Sequence, residues 1–401
     1  MKFSSLVQRI GGGGVDAWKI HTHARDAADR GEDIIVLSVG DPEFATASSV
    51  VDVAIQALRE GDTHYTTPAG RLELRGRIAR LHTRLSGQET QAENVAVVNG
   101  TQNGLFCAAQ CLCEAGDEVL VPEPMYLTYE ATVRATGARL VAVPILEGSD
   151  FRVDLAAMAR AVTPRTRAIF FATPCNPTGV VMRQDELQGI ADIACRHDLW
   201  VVADEVYASL CFESPHISIA SLPGMAQRSV TVNSFSKSHA MAGWRCGWVI
   251  APAELTAHIG NLVLCMLYGA PGFIQQAACT ALDQFDALTS ATRETYRLRR
   301  DLSHQLLKDV PGLRCLLPQA GMFMLVDVRG TGLSANAFAW GLLRETGVSV
   351  LDGQAFGPSA AGFVRLGFVV PEDRLEEACS RIARYARGIA GNSARPAAAR
   401  D

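Results

Sequence analysis

One lysine, one aspartate, one tyrosine, one asparagine and one arginine stand just beyond apolar β-branched runs in this chain, and their types suggest covalent amine chemistry. Lys237 lies in SFSKSHAMAGWRCGW, after the run SVTVN and eight positions before Arg245. An amine bracketed by Ser236 and Ser238 at a strand end is a candidate for a desolvated group of lowered pKa that bonds to a carbonyl carbon. A solvated loop lysine is the plainer alternative. Asp204 ends the run WVVAD, and Tyr207 follows it by three residues. A carboxylate leaving a buried strand needs a positive partner, either a structural Arg or Lys or a protonated ligand nitrogen. Taken alone, the ion pair is the favoured reading.

TPCNPTG, residues 173–179, would hold Asn176 in a tight turn with its amide outward, although Asn-Pro alone is a common turn. NGTQNG, residues 99–104, lies between a strand and a helix, where backbone N–H groups could cradle a phosphate. It has neither the Walker pattern nor the GxGxxG spacing. An amine, a carboxylate, a phenol, an amide, a phosphate cradle and an arginine together suit pyridoxal 5′-phosphate, which offers an aldehyde, a ring nitrogen, a 3′-oxygen and a dianion.

Positioning these groups takes strands that end on one edge of a sheet. Apolar runs at 95–98, 118–121, 139–143, 168–171, 200–203, 229–232 and 244–250 alternate with amphipathic stretches, the signature of βαβ units and a mainly parallel sheet. A long helical stretch at 274–308 follows. Shorter strands at 323–328 and 363–368, with helices near 334–345 and 371–387, then indicate a smaller α+β domain. The glycine run 11–14 reads as a hinge, and the tail from Asn392 as frayed.

The 401 residues, 48% of them hydrophobic, suffice for two domains. Lys plus Arg number 37 against 42 for Asp plus Glu, a net charge of −5, which argues against nucleic acid or an anionic membrane as partner. No apolar run reaches the length of a membrane span. Eleven scattered cysteines do not form a disulfide pattern and suit a reducing cytoplasm. His21 and His23 lack companions for a metal site. Arg71, Arg75, Arg77, Arg80 and Arg84 read as a solvated helix face.

From about Ile34 to Arg387 these motifs resemble the class I aminotransferases of the aspartate-aminotransferase fold, pyridoxal-phosphate fold type I. The resemblance implies an α/β large domain, with a mainly parallel seven-stranded sheet flanked by helices, and a smaller α+β domain. Residues 1–44 would form an arm and part of the small domain, 45–285 the cofactor domain, 286–390 the small domain and 391–401 a flexible tail. It implies Lys237 as the Schiff-base lysine, Asp204 as the ring-nitrogen partner, Tyr207 and Asn176 as 3′-oxygen ligands, and Tyr126 of PEPMY as the stacking aromatic. Gly100, Thr101, Gln102, Ser234 and Arg245 would hold the phosphate. Arg365 of FVRLGF, with Gly40 and Asn176, would bind the substrate α-carboxylate. Tyr65 of HYTTPAG would reach the phosphate in a neighbouring subunit, making the active unit a homodimer with shared sites, and Tyr268 would lie near the cofactor. The implied substrates are an amino acid and a 2-oxo acid, exchanged in ping-pong fashion.

Several second-half segments, including NLVLCMLYGAPGFIQ and GMFMLVDVRGTGLSANAFA, are similar to arginine-using members of that family. This implies L-arginine as donor, pyruvate as acceptor and a place in arginine catabolism, with Glu43, Asp16 or Glu123 as possible partners of a guanidinium group. Donors of aromatic, aliphatic or acidic type, or a carbon–sulfur β-lyase reaction on the same fold, remain open. Cys175, before Asn176, reads as a small packing residue.

Overall fold

A computed structural model of the protein describes residues 1–11, 14–146 and 148–393. Gly12 and Gly13 of the expected hinge, and the tail beyond 393, fall outside the described residues; the last helix, Glu372–Ser393, takes in the residues where fraying was expected to begin.

Seven strands form the main sheet: β1 (Val95–Val98), β2 (Glu118–Pro122), β3 (Arg139–Val143), β4 (Thr166–Ala172), β5 (Trp200–Asp204), β6 (Ser229–Ser234) and β7 (Gly247–Ile250). They lie in the order β1-β7-β6-β5-β4-β2-β3. Neighbours are parallel except where β7 runs antiparallel to both β1 and β6. Every residue of β1, β2 and β7 is buried. Strands covered on both faces read as continuous apolar runs, which is why they stand out in the sequence.

Successive residues of a strand point to opposite layers. Val98, Val121, Phe170, Val202 and Val249 pack with the helices Thr101–Leu112, Tyr129–Ala135 and Ala253–Leu267. On the other face, Val97 and Trp248 meet helices Ser48–Arg59, Leu72–Ser86 and Gly272–Asp283, while Ile169 and Val201 meet Gln184–His197. Of the arginines expected on a solvated helix face, Arg80 and Arg84 are exposed and Arg71, Arg75 and Arg77 are half-buried. Arg71, Arg77 and Arg84 pair with Asp62, Asp283 and Asp286, and Arg75 donates to Val95 O.

A second core gathers both ends of the chain. Ile35–Val36 pairs in parallel with Val348–Ser349, and an antiparallel sheet joins Leu351–Asp352, Phe363–Gly367, Phe323–Asp327 and Arg314–Cys315 in that order. The helical stretch expected over 274–308 is two helices, Gly272–Asp283 and Phe285–Leu307, separated at Gln284. Among the described residues no helix is long and apolar enough to cross a membrane.

Candidate active site

In a parallel sheet the groups carried past the strand carboxyl ends converge along one edge. Here β1 leads to Gly100, β4 to Asn176, β5 to Asp204 and Tyr207, and β6 to Lys237. Because β7 runs the opposite way, its starting end lies on that same edge; Gly247 pairs with both Val98 and Ser234, which brings Arg245 beside Gly100. A cavity of about 200 Å³ opens there, lined by Thr101, Gln102, Tyr126, Asn176, Asp204, Tyr207, Lys237 and Arg245 among others.

The Lys237 amine donates to Gly40 O at 2.5 Å. Burial lowers its pKa to about 8, against the attraction of Asp41 and with Arg365 and Arg245 adding to the fall. A neutral fraction of amine is therefore available near physiological pH, as nucleophilic and proton-transfer roles need.

Asp204 is buried, and burial pushes its pKa up to about 6. Two donors counter that push: the Val206 N–H reaches Oδ1 at 3.2 Å, and the Tyr129 hydroxyl reaches Oδ2 at 3.0 Å. Lys237 is an attraction too weak to be a structural ion pair, and no salt bridge to Asp204 occurs among the described residues. The ion-pair reading favoured for an isolated strand-end carboxylate therefore fails, and the carboxylate is left open toward the cavity to meet a positively charged group. Tyr129 was not singled out from sequence. It opens the helix Tyr129–Ala135, and its ring meets that of Tyr126 edge-on at 5.9 Å.

The opening of helix Thr101–Leu112 leaves N–H groups without intrahelical acceptors, as at any helix start. Gly100 takes φ 87°, and a Cβ there would stand 2.6 Å from Arg245 Nη2, so only glycine admits the guanidinium this closely. Arg245 itself is left-handed, φ 54°, and donates to Asn99 O and Ala242 O. The Thr101 hydroxyl donates to Ser234 Oγ at 2.9 Å. The Gln102 side chain turns away, between Thr128 and Thr132, leaving its backbone N–H to the cradle.

Arg365 is 2% exposed and has no carboxylate partner among the described residues. Nη1 donates to Asn176 Oδ1 at 2.9 Å, Nη2 to Ser38 O at 2.8 Å, and Nε has no partner. The guanidinium lies over Phe323 at 4.0 Å and Phe356 at 5.0 Å, and burial lowers its pKa to about 10. A buried cation left without a counter-ion marks a site for an incoming anion. Gly40 adjoins it: a Cβ there would stand 2.2 Å from Cζ of Phe323.

Other expected residues lie elsewhere. Tyr65 is 85% exposed and stacks on Tyr268, 59% exposed, at 5.1 Å, so neither lines the cavity of its own chain. Glu43 forms a two-pronged pair with Arg299, and Glu123 accepts both the N–H and hydroxyl of Ser359, so both acids are already engaged. The Asp16 side chain falls outside what the structure describes. His21 contacts Ser38 Oγ, and His23 packs on Trp340. The Cys175 thiol lies 3.5 Å from Pro124 O, with its pKa raised by burial.

A buried amine, an ion-pair-free carboxylate, an anion cradle and an uncompensated guanidinium fit the cofactor and substrate groups inferred above. Residues 32–382 match the family model described as aminotransferase class I and II. Arginine–pyruvate transaminase AruH of Pseudomonas aeruginosa is 52% identical over 393 residues, covering 98% of this chain and all of that protein. Aromatic-amino-acid aminotransferase 2 of Thermococcus litoralis is 35% identical over 365 residues, 89% of this chain and 92% of that one. The structure of Thermus thermophilus aspartate aminotransferase with maleate superposes with a TM-score of 0.91 at 32% identity, over 96% of this chain and all of that one. With fold, edge chemistry and full-length similarity in agreement, this chain belongs to the class I and II aminotransferases, enzymes dependent on pyridoxal 5′-phosphate.

Proposed function

We propose that this aminotransferase moves the amino group of L-arginine to pyruvate in a ping-pong reaction. The observation that carries the substrate choice is the full-length similarity to the Pseudomonas arginine–pyruvate transaminase. When bound, pyridoxal 5′-phosphate supplies a ring that withdraws the electrons left as the substrate Cα–H bond breaks.

The chain's own residues supply the rest. The Asp204 carboxylate, oriented by Tyr129 and Val206, would hold a proton on the ring nitrogen, and Tyr207 and Asn176 would meet the 3′-oxygen. Gly100, Thr101, Gln102, Ser234 and Arg245 would hold the phosphate, with Tyr126 against the ring face. Arg365 would bind the α-carboxylate with its unpartnered Nε and with Nη1, which also donates to Asn176, beside Gly40. Lys237, neutral in part at physiological pH, would carry the proton to and from Cα.

The active unit in this reading is a homodimer, supported by two exposed stacked tyrosines, Tyr65 and Tyr268, that need a neighbour to be covered. We assign 45–285 to the cofactor domain and 1–44 with 286–390 to the small domain. Eleven free cysteines support a cytoplasmic setting.

The test is single-turnover spectroscopy: holoenzyme is mixed with each amino acid in turn, without acceptor, and loss of the cofactor's visible band is followed. L-Arginine should convert it fastest and pyruvate restore it. A wide margin for an aromatic, aliphatic or acidic donor would remove the arginine assignment while leaving the family and chemistry intact, and turnover without any 2-oxo acid would point to a lyase.

A further inference from the structure

Asp204 is followed by a second buried carboxylate, Glu205, and the two serve different spaces. Asp204 lines the catalytic cavity, whereas Glu205 lines a separate one of about 560 Å³. Like charges on adjacent buried residues oppose each other's ionisation. The fold relieves that conflict on one side only.

Glu205 Oε1 accepts the Ser218 hydroxyl at 2.6 Å, and Oε2 lies 3.3 Å from Nε2 of His216. His82, from the helix Leu72–Ser86, faces it too. Burial pushes the Glu205 carboxyl up, but His216, His82 and Ser218 outweigh burial and hold it below its ordinary range. It is therefore ionised at neutral pH. Asp204 has no comparable set of partners: burial pushes it up, the Glu205 charge adds to that push, and Lys237 only partly offsets it. The backbone ties the pair rigidly, with Glu205 N–H on Val232 O at 2.9 Å and Val206 N–H on Asp204 Oδ1 at 3.2 Å.

We propose that Glu205, clamped by His216 and Ser218, is a positioning residue whose fixed negative charge strengthens the hold of Asp204 on the protonated ring nitrogen of the cofactor. This rests on the reading of Asp204 as the ring-nitrogen partner. A purely structural Glu205 would anchor the segment bearing His216 to the strand end and leave the ring nitrogen untouched.

The experiment follows the ¹⁵N NMR shift of ring-labelled pyridoxal 5′-phosphate in the holoenzyme across a pH titration. Glu205→Gln should lower the pH at which the ring nitrogen loses its proton by about one unit. It should also cut kcat about tenfold while leaving KM for the amino donor within about twofold. Glu205→Asp, which keeps the charge on a shorter side chain, should hold that pH within about half a unit of wild type. A shift in the neutral variant that the charged one does not share is the mark of an electrostatic role, because a structural lesion follows side-chain shape and would disturb the shorter variant more than the isosteric one. A Glu205→Gln titration identical to wild type, or an equal downward shift in Glu205→Asp, overturns the proposal. Should Glu205→Gln not fold, Glu205→Ala is read in its place by the same criteria. Asp204→Asn separates the two readings. If it leaves the ring-nitrogen signal unchanged, the role of Asp204 falls and this inference with it. If it moves the signal while Glu205→Gln does not, only the inference falls.

Discussion

The Tyr129 hydroxyl donates to Oδ2 of Asp204 at 3.0 Å, joining the first turn of helix Tyr129–Ala135 to the end of β5 beneath the catalytic cavity. With the Val206 N–H on Oδ1, each oxygen of a buried carboxylate has one donor and keeps a lone pair for a ligand. Hydrogen bonds to charged groups contribute about 1.5–3 kcal/mol. Tyr129→Phe should therefore raise the dissociation constant for pyridoxal 5′-phosphate about tenfold or more, with the circular dichroism of the protein unchanged. Titration of the visible band measures it, and an unchanged constant would mean that Asp204 is oriented without Tyr129.

Lys237→Ala should abolish the visible band produced by covalent attachment and reduce turnover at least about a hundredfold, the usual contribution of a positioned acid–base group. Cofactor should still bind through the phosphate cradle. Near-wild-type activity in this variant would remove Lys237 from the chemistry altogether.

Arg365 is buried, held by Asn176 and Ser38 and stacked on Phe323. Arg365→Ala removes the bidentate fork, so kcat/KM for the amino donor should fall at least about a hundredfold while the cofactor absorption persists. Loss of the cofactor instead would assign Arg365 to the phosphate rather than to the substrate.

The seven strands were legible because fully buried strands leave unbroken β-branched runs, and their ends marked residues that line the edge cavity. What escaped the sequence depended on distant partners. The strand expected to start at Trp244 starts at Gly247, since Arg245 adopts a left-handed conformation to reach Asn99 O. The break at Gln284 has no glycine or proline to announce it; the side chain there accepts from Ser49 Oγ. Glu43 looked free to meet a substrate only because its partner, Arg299, lies 256 positions away. Tyr129 was invisible for the same reason, being 75 positions from Asp204.

The raised pKa of Asp204 sets a stability window for the cofactor-free enzyme. Burial lifts it from an ordinary 3.8 to about 6, so the folded state binds the proton more tightly than the unfolded chain. Its stabilising contribution is full below about pH 4 and is lost as pH rises through 6, amounting to roughly 3 kcal/mol. Lys237 acts in a higher window: with its pKa lowered from 10.5 to about 8, its contribution is full above about 10.5 and lost as pH falls through 8. Asp204→Asn should thus gain stability relative to wild type between pH 4 and 7, by about 1–3 kcal/mol, while losing activity. Urea denaturation of both cofactor-free proteins across that range is the measurement, and a pH-independent difference would show that Asp204 is not shifted.

Tyr65 supplies the sharpest test of the shared site, because it is exposed on its own chain and stacked only on Tyr268. If its hydroxyl serves the phosphate of the neighbouring subunit, Tyr65→Phe should weaken cofactor binding about tenfold, as loss of a hydrogen bond to a charged group does. Hybrid dimers then distinguish the two arrangements. In a dimer of one Lys237→Ala subunit and one Tyr65→Phe subunit, action across the interface concentrates both lesions in one site and leaves the other intact. Action within a chain damages one site with each lesion and leaves none intact. Purified hybrids should therefore contain one site of wild-type cofactor affinity per dimer, and hybrids with only the weakened affinity of Tyr65→Phe would confine the tyrosine to its own subunit.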